Sequence, residues 1–536
     1  MKKKTKALLF GLGGIAAAGT AWSIWFKEKM KDPEFNSRVK HKGEAGLKRA
    51  LLGLNNILPD FPHPSKDEFV SHDFYRGHEE FRDTSKRGSK WKMGYGRYVL
   101  TPDDYLEKDY YLGGYLTLPP STVKVVLDDL CVRAVCLDDG SGRGSAAFAV
   151  IDCIGLSSKD VRTIRQLLAD FAAENNIVSI NISSSHCHSG VDTQGIWGPL
   201  PKILKNNVRE IKSKNIDRLI SGRDPIYMDN LRQKTAQAIK DAFESMKSGK
   251  FYYKAIDDIK YARDKREPDV YFKEIVKLHF VPDDGSREIV GAMMAAHPVA
   301  IYPKNGELSA DYIYYIEEEV NKAGADFIFF QGAQLAIAPD RSFVDGDPNE
   351  PDFKEYGRAI GRHLISFESR DEERILPILN IRNKEVFIPS DNYIMTALLN
   401  AGIVNNIAVK IGDKATDLMF LTEVGYVELG KTLRLAMVPG EFAPELALGG
   451  TYSADESYTG QDWPYPPMKD MIAPDTYMAV IGLCNDSIGY ILPDNDYGCI
   501  LEEKRYEESV SAGSQTGSAV VGAFQAALED CGRLVE

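Results

Sequence analysis

Short apolar runs in this chain alternate with stretches of helical periodicity. Ile177-Val178-Ser179-Ile180-Asn181-Ile182 has the character of a buried strand, and residues 146–154 form a second such run. Residues 159–174 repeat apolar side chains at helical spacing, placing Ile164, Leu167, Leu168 and Phe171 on one face. A second helix is predicted over 227–246, with Leu231, Ala238, Ala242 and Met246 on its stripe. Residues 310–321 and 353–367 predict further helices, and Ser309 or Asp311 stands where a cap for the first belongs. More strand-like runs occupy 289–296, 326–330, 433–438 and 478–483. Repeated strand and helix runs predict an α/β fold built on a large mixed sheet. No Pro/Gly/Ser linker interrupts the chain after Trp91, so residues 91–536 read as one catalytic domain.

The segments before Trp91 differ. Residues 7–26 carry no charge, with Lys2, Lys3, Lys4 and Lys6 ahead of them and Lys27, Lys29 and Lys31 behind. At about 1.5 Å per residue a helix of that length reaches the roughly 30 Å of a bilayer core. Residues 1–31 therefore read as a membrane anchor. The alternative is a cleaved signal, for which Gly19-Thr20-Ala21 supplies a small-x-Ala site. Either reading most simply exports the main domain, as a membrane-anchored extracytoplasmic protein or a secreted one; lysines on both flanks leave a cytoplasmic domain on an anchor as the other topology. Residues 32–90 are charged and mixed, with a helical stretch over 43–58, and read as a stalk or cover.

Composition narrows the classes. Of 536 residues, 43% are hydrophobic and 27% charged, which is ordinary globular composition. A net charge of -13 without a basic stripe argues against a nucleic-acid partner. Seven cysteines do not suggest a disulfide framework. Cys131 and Cys136 share one strand-like run, facing opposite sides about 17 Å apart, beyond disulfide reach. Most of the seven read as small core residues.

Candidate chemistry gathers where strands end. The run ending at Ile182 leads into His186-Cys187-His188, within "NISSSHCHSG" (181–190). Two imidazoles at a strand-to-loop transition suit metal binding or acid/base work. Other strand-like runs lead into His297-Pro298, into Gln331-Gly332 and then Ala338-Pro339-Asp340-Arg341, into Pro439-Gly440-Glu441-Phe442, and towards Gly489-Tyr490. Loops at strand ends commonly hold the site of an α/β protein. His, Glu and Tyr together form a nitrogen/oxygen set that suits zinc. Read singly, His297 also fits a satisfied core histidine, Glu441 a carboxylate at a helix N-terminus, and Tyr490 an amphipathic core residue. Cys187, in an extended segment, points away from both histidines and reads as packing.

These residues carry a resemblance. Over roughly residues 92–512 the chain resembles the neutral/alkaline, non-lysosomal ceramidase family. "GYGRYVLTP" (94–102), "GGYL" (113–116), "VIDCIGL" (150–156), "SSHCHSG" (184–190), "AAHPVAI" (295–301), "VPGEF" (438–442) and "SIGYILP" (487–493) look like its ordered motifs. The resemblance implies one catalytic Zn2+ on His186, His297, Glu441 and Tyr490, with His188 beside the substrate carbonyl. It implies hydrolysis of the N-acyl amide of ceramide or a related lipid. Asp152 and Asp340 are second candidates, as carboxylates that orient metal-bound histidines. One segment departs from the family: "LAIAPD" (335–340) aligns with its serine-bearing motif, and Ala338 stands at the serine. The chain also stops soon after the catalytic region, so the family's C-terminal immunoglobulin-like domain is not expected. Two other readings follow from these departures. One is a metallohydrolase acting on another amide or ester. The other is a non-catalytic, membrane-tethered lipid- or glycan-binding relative.

Overall fold

The computed structural model describes residues 33–58, 61–301, 306–344, 353–498 and 505–535. The expected anchor or signal over 1–31 lies outside them. No helix among the described residues is long and apolar enough to cross a membrane.

Nine strands form the first sheet: β1 Trp91–Val99, β2 Cys131–Asp138, β3 Ser145–Ile151, β4 Ile177–Ser184, β5 Lys247–Ile256, β6 Ile275–Pro282, β7 Glu288–Met294, β8 Ala325–Gln331 and β9 Glu373–Ile375. Their order is β8-β7-β6-β5-β1-β2-β3-β4, with β9 beside β5. Only the outermost pairs, β7–β8 and β3–β4, are parallel. The sheet curls on itself: Tyr95 on β1 donates to the Phe327 carbonyl on β8 at 2.9 Å, four strands away in sheet order. A second sheet contains β10 Leu379–Pro389, β11 Ala408–Lys410, β12 Leu418–Leu429, β13 Leu433–Met437 and β14 Tyr477–Ile481, in the order β10-β12-β13-β14 with β11 beside β12.

The two sheets stack face to face, which the expected single sheet did not include. Alternation along each strand explains the arrangement. On β8, Phe327 and Phe329 face helices while Ile328 and Phe330 face the second sheet. On β13, Leu433, Leu435 and Met437 meet the first sheet while Ala436 faces away. Both faces of the central strands are buried, so they read as continuous apolar runs.

Helices close the two outer faces. α1 Pro33–Ile57 precedes the sheets. α2 Ser158–Leu167 and α3 Pro225–Glu244 cover one half of the first sheet, and α4 Tyr312–Lys322 and α5 Phe353–Ser366 cover the other. α6 Thr516–Asp530 covers the second sheet with Val520, Val521, Phe524 and Leu528. Asp311 caps α4, its carboxylate accepting the Tyr312 amide at 2.6 Å. Leu167 is a correction to the predicted stripe of α2. It is 39% exposed, because the buried face runs Val161, Ile164, Leu168 and the side of Arg165 that meets Glu423. Met246 lies beyond the end of α3, yet still packs against the core beneath it.

Residues 65–82 run along the second sheet. Ser65 bridges to Lys410 and Gly77 to Arg382, and the His78 amide donates to the Ile381 carbonyl at 2.9 Å. Of the six described cysteines, Cys131, Cys136, Cys153, Cys187 and Cys484 are buried, none in a disulfide.

One ion network ties the first sheet to its helices. Arg133, fully buried on β2, donates to Asp152 at 2.8 Å and to Glu317 of α4 at 2.6 Å, and Arg97 of β1 holds the other Glu317 oxygen at 2.8 Å. Removing the shared cation leaves two buried carboxylates facing one another. R133A is therefore expected to cost about 3–5 kcal/mol, read as a lowered urea midpoint.

Candidate metal centre

Four strand ends converge on one point. β4 ends at Ser184, and the chain turns at His186, which holds φ at +66°. That left-handed residue reverses the backbone, so His186 and His188 direct their rings to the same side while Cys187 is buried in the core under α2 and α3. Burial drives the Cys187 thiol well above its ordinary pKa, which suits an inert packing residue. His297 follows β7. Glu441 and Tyr490 follow β13 and β14 and sit opposite each other in a two-residue parallel pairing, Glu441–Phe442 with Tyr490–Ile491. The loop after β14 ties these ends together: Gly482 N donates to Gln331 O at 2.8 Å, and Asn485 N to Ile182 O at 2.7 Å.

The convergence is tight. Ring nitrogens of His186, His188 and His297 all lie within 4.8 Å of one another. Glu441 Oε2 is 3.1 Å from His186 Nε2 and 3.0 Å from His297 Nε2. His188 Nε2 is 3.1 Å from His186 Nε2. His186, His297, Glu441 and Tyr490 are buried and His188 is half-buried. Tyr490 contacts Tyr506, hydroxyl to hydroxyl at 3.5 Å; burial and the Glu441 charge push its phenol well above the usual range.

The donor set fits a metal cation. His186 Nδ1 lies 2.6 Å from the Ile154 carbonyl and His297 Nδ1 lies 2.9 Å from the Ile337 carbonyl. A carbonyl only accepts, so each Nδ1 carries a proton, and in the neutral ring each Nε2 then presents a lone pair. Two lone pairs then face a carboxylate oxygen at close range. Such a set is repulsive unless a proton or a metal cation sits among the three atoms. His188 differs: no partner of hydrogen-bond geometry anchors its Nδ1, and burial beside two other imidazoles holds its pKa well below the ordinary value.

The carboxylates expected to orient the histidines do not touch them. Asp152 accepts from Arg133 at 2.8 Å and from the Cys131 amide at 2.9 Å. Asp340 accepts from the Ser342 amide at 3.0 Å and pairs with Lys260 at 3.3 Å. Backbone carbonyls of Ile154 and Ile337 take the orienting role, and no residue type in the sequence signals a carbonyl. Two further neighbours escaped sequence reasoning. Gly114, at φ +119°, backs His188 so closely that a Cβ would lie 2.7 Å from its Cα, Cβ and Cγ. Tyr506 reaches Tyr490. The "GGYL" motif carried a signal for the first; nothing marked the second. Ala338 is buried opposite Arg263, one residue after the carbonyl that holds His297.

Fold and centre together define a mixed α/β protein whose strand ends form a nitrogen/oxygen site fit for one divalent metal. More particularly, the fold is neutral ceramidase-like. The neutral ceramidase from Pseudomonas aeruginosa superposes with a TM-score of 0.60 at 14% identity, over 84% of this chain and 76% of that one. A ceramidase complexed with C2 superposes with a TM-score of 0.57, also at 14% identity and with the same coverage. No family model and no curated protein matches the sequence.

Proposed function

We propose that this protein is a zinc-dependent hydrolase that cleaves the N-acyl amide bond of ceramide or a related lipid. The observation that carries the reading is the approach of His186 Nε2 and His297 Nε2 to one Glu441 oxygen at 3.1 and 3.0 Å. The two solved neighbours are ceramidases, and one is complexed with C2; that substrate class is brought to this chain as part of the proposal. His186, His297, Glu441 and Tyr490 would hold the zinc, which when bound would supply Lewis-acid polarisation and acidify a water to a pKa of about 7.

The chain's own residues do the rest. Ile154 and Ile337 carbonyls fix both Nδ1 protons, so each ring turns its Nε2 to the metal position. Glu441 contributes negative charge in a buried place, where it counts most. His188 is neutral and its Nε2 faces the same point, so it can take a proton as water adds to the carbonyl carbon. It returns that proton to the amine nitrogen as the C–N bond breaks. The products are a carboxylic acid and an amine, and no serine hydroxyl takes part. Ala338 is compatible with this route. The N-terminal segment, read as an anchor or signal, would place this chemistry outside the cytoplasm, at or near a membrane.

The contact between Gly114 and His188 yields a test of that division of labour. G114A forces a Cβ into the His188 backbone at a φ that L-residues rarely adopt. Turnover is expected to fall at least tenfold, in line with about 10²–10⁴ for a misplaced general acid/base, while metal content is unchanged. Loss of metal in G114A would assign His188 to the ligand set instead. Substrate class is tested by comparing ceramide in mixed micelles with short N-acyl amides and esters. Ceramide is expected to give the highest kcat/KM; preference for an ester would move the assignment to another metallohydrolase.

A further inference from the structure

The loop that backs His188 also carries the most exposed large apolar side chain among the described residues. Residues 111–123 contain no charged side chain. Two bridges, Tyr111 to Thr122 and Leu112 to Val191, pin the base of the loop. Its inner side rests on the site: Gly114 abuts His188, and the Tyr115 ring lies 5.1 Å from the His188 ring. Past Tyr115 the side chains alternate. Thr117 turns its hydroxyl inward to a buried position, whereas Leu116 and Leu118 project outward, 75% and 82% exposed. Pro119 beside them is exposed as well.

We propose that this tip is a lipid-docking element: Leu116 and Leu118 enter the apolar region of a zwitterionic bilayer and bring the mouth of the centre to the membrane plane. The inference rests on the lipid-amide reading of the site. Three observations select a bilayer as the occupant. The loop has no charge with which to bind an anionic headgroup or an oppositely charged protein, and the whole chain, at -13, is repelled by anionic surfaces. Two leucines and a proline are far smaller than the roughly 800 Å² per partner of a stable protein interface, but apolar tips of this size suffice at a membrane interface. The chain ahead of Pro33 includes the uncharged residues 7–26, long enough to hold the domain beside a bilayer.

Docking and hydrolysis can be read separately. L118W and L167W, each in the full chain, place a reporter at the loop tip and at an exposed position in the last turn of α2. Both are titrated with phosphatidylcholine vesicles that contain no amide-linked lipid, with plain or brominated acyl chains. The added L118W emission is expected to shift to the blue and to be largely quenched by the brominated vesicles, with L167W unaffected. Equal response at the two positions would overturn the proposal. So would an L118W signal that ignores vesicles but changes with protein concentration, which would make a second copy the occupant. Since these vesicles offer no hydrolysable amide, docking without ceramide turnover would remove the amidase reading alone. Turnover of a soluble short-chain amide with no L118W response would remove the docking proposal alone.

Discussion

Replacing His297 by alanine is expected to remove metal and turnover together. Its Nδ1 is held by the Ile337 carbonyl at 2.9 Å and its Nε2 faces Glu441 at 3.0 Å, so the ring has no other partner to serve. Losing an outer-shell partner of a metal-bound histidine costs about 10- to 100-fold, so losing the ring itself should cost about a hundredfold or more in both affinity and kcat/KM. Elemental mass spectrometry beside an amidase assay reads both. Full zinc occupancy with full activity in His297→Ala would remove His297 from the ligand set. The fold should survive, because the ring lies at a strand end and not in one of the apolar layers.

His188→Ala is expected to separate the two readouts. This ring makes no close Nδ1 contact of the kind that fixes His186 and His297, and Tyr115 and Gly114 pack against it. A residue that moves a proton without holding the metal should leave zinc content near wild type and lower kcat by about 10²–10⁴. KM should change little, because the interaction is made mainly in the transition state. Unchanged turnover would strike His188 from the mechanism. Zinc lost along with rate would make it a ligand and leave the proton transfer without an owner on this side of the site.

How much of this was legible in the sequence depends on the kind of signal each feature leaves. Strand ends that carry His186, His188, His297, Glu441 and Tyr490 stand out because an apolar run stopping at a titratable group is visible in one dimension. Their convergence is a property of the curled sheet and of the loop after β14, which the runs alone do not encode. Asp152 shows the limit. A buried Asp at the end of an apolar strand suggested support for a metal ligand, but its partner is Arg133, whose position on a neighbouring strand leaves no periodic trace. The carbonyls that do orient the histidines belong to Ile154 and Ile337 and are invisible to any reading of side chains. The second sheet escaped for a related reason. Polar residues such as Asn380, Arg382, Asn383 and Glu423 interrupt β10 and β12, and they are buried because each finds partners on other elements, for example Glu423 with Arg165 at 2.7 and 2.9 Å. At 14% identity to the solved neighbours, it is this layered frame that persists and few of the residues that fill it.

The central claim is that the converging side chains hold a catalytic metal. Its most direct test is the zinc content of the purified full chain, measured by elemental mass spectrometry beside the His186→Ala/His297→Ala double variant. The account predicts about one zinc per chain in wild type and none in the variant. Equal metal in both proteins, or none in wild type after growth and purification with zinc present, would contradict it.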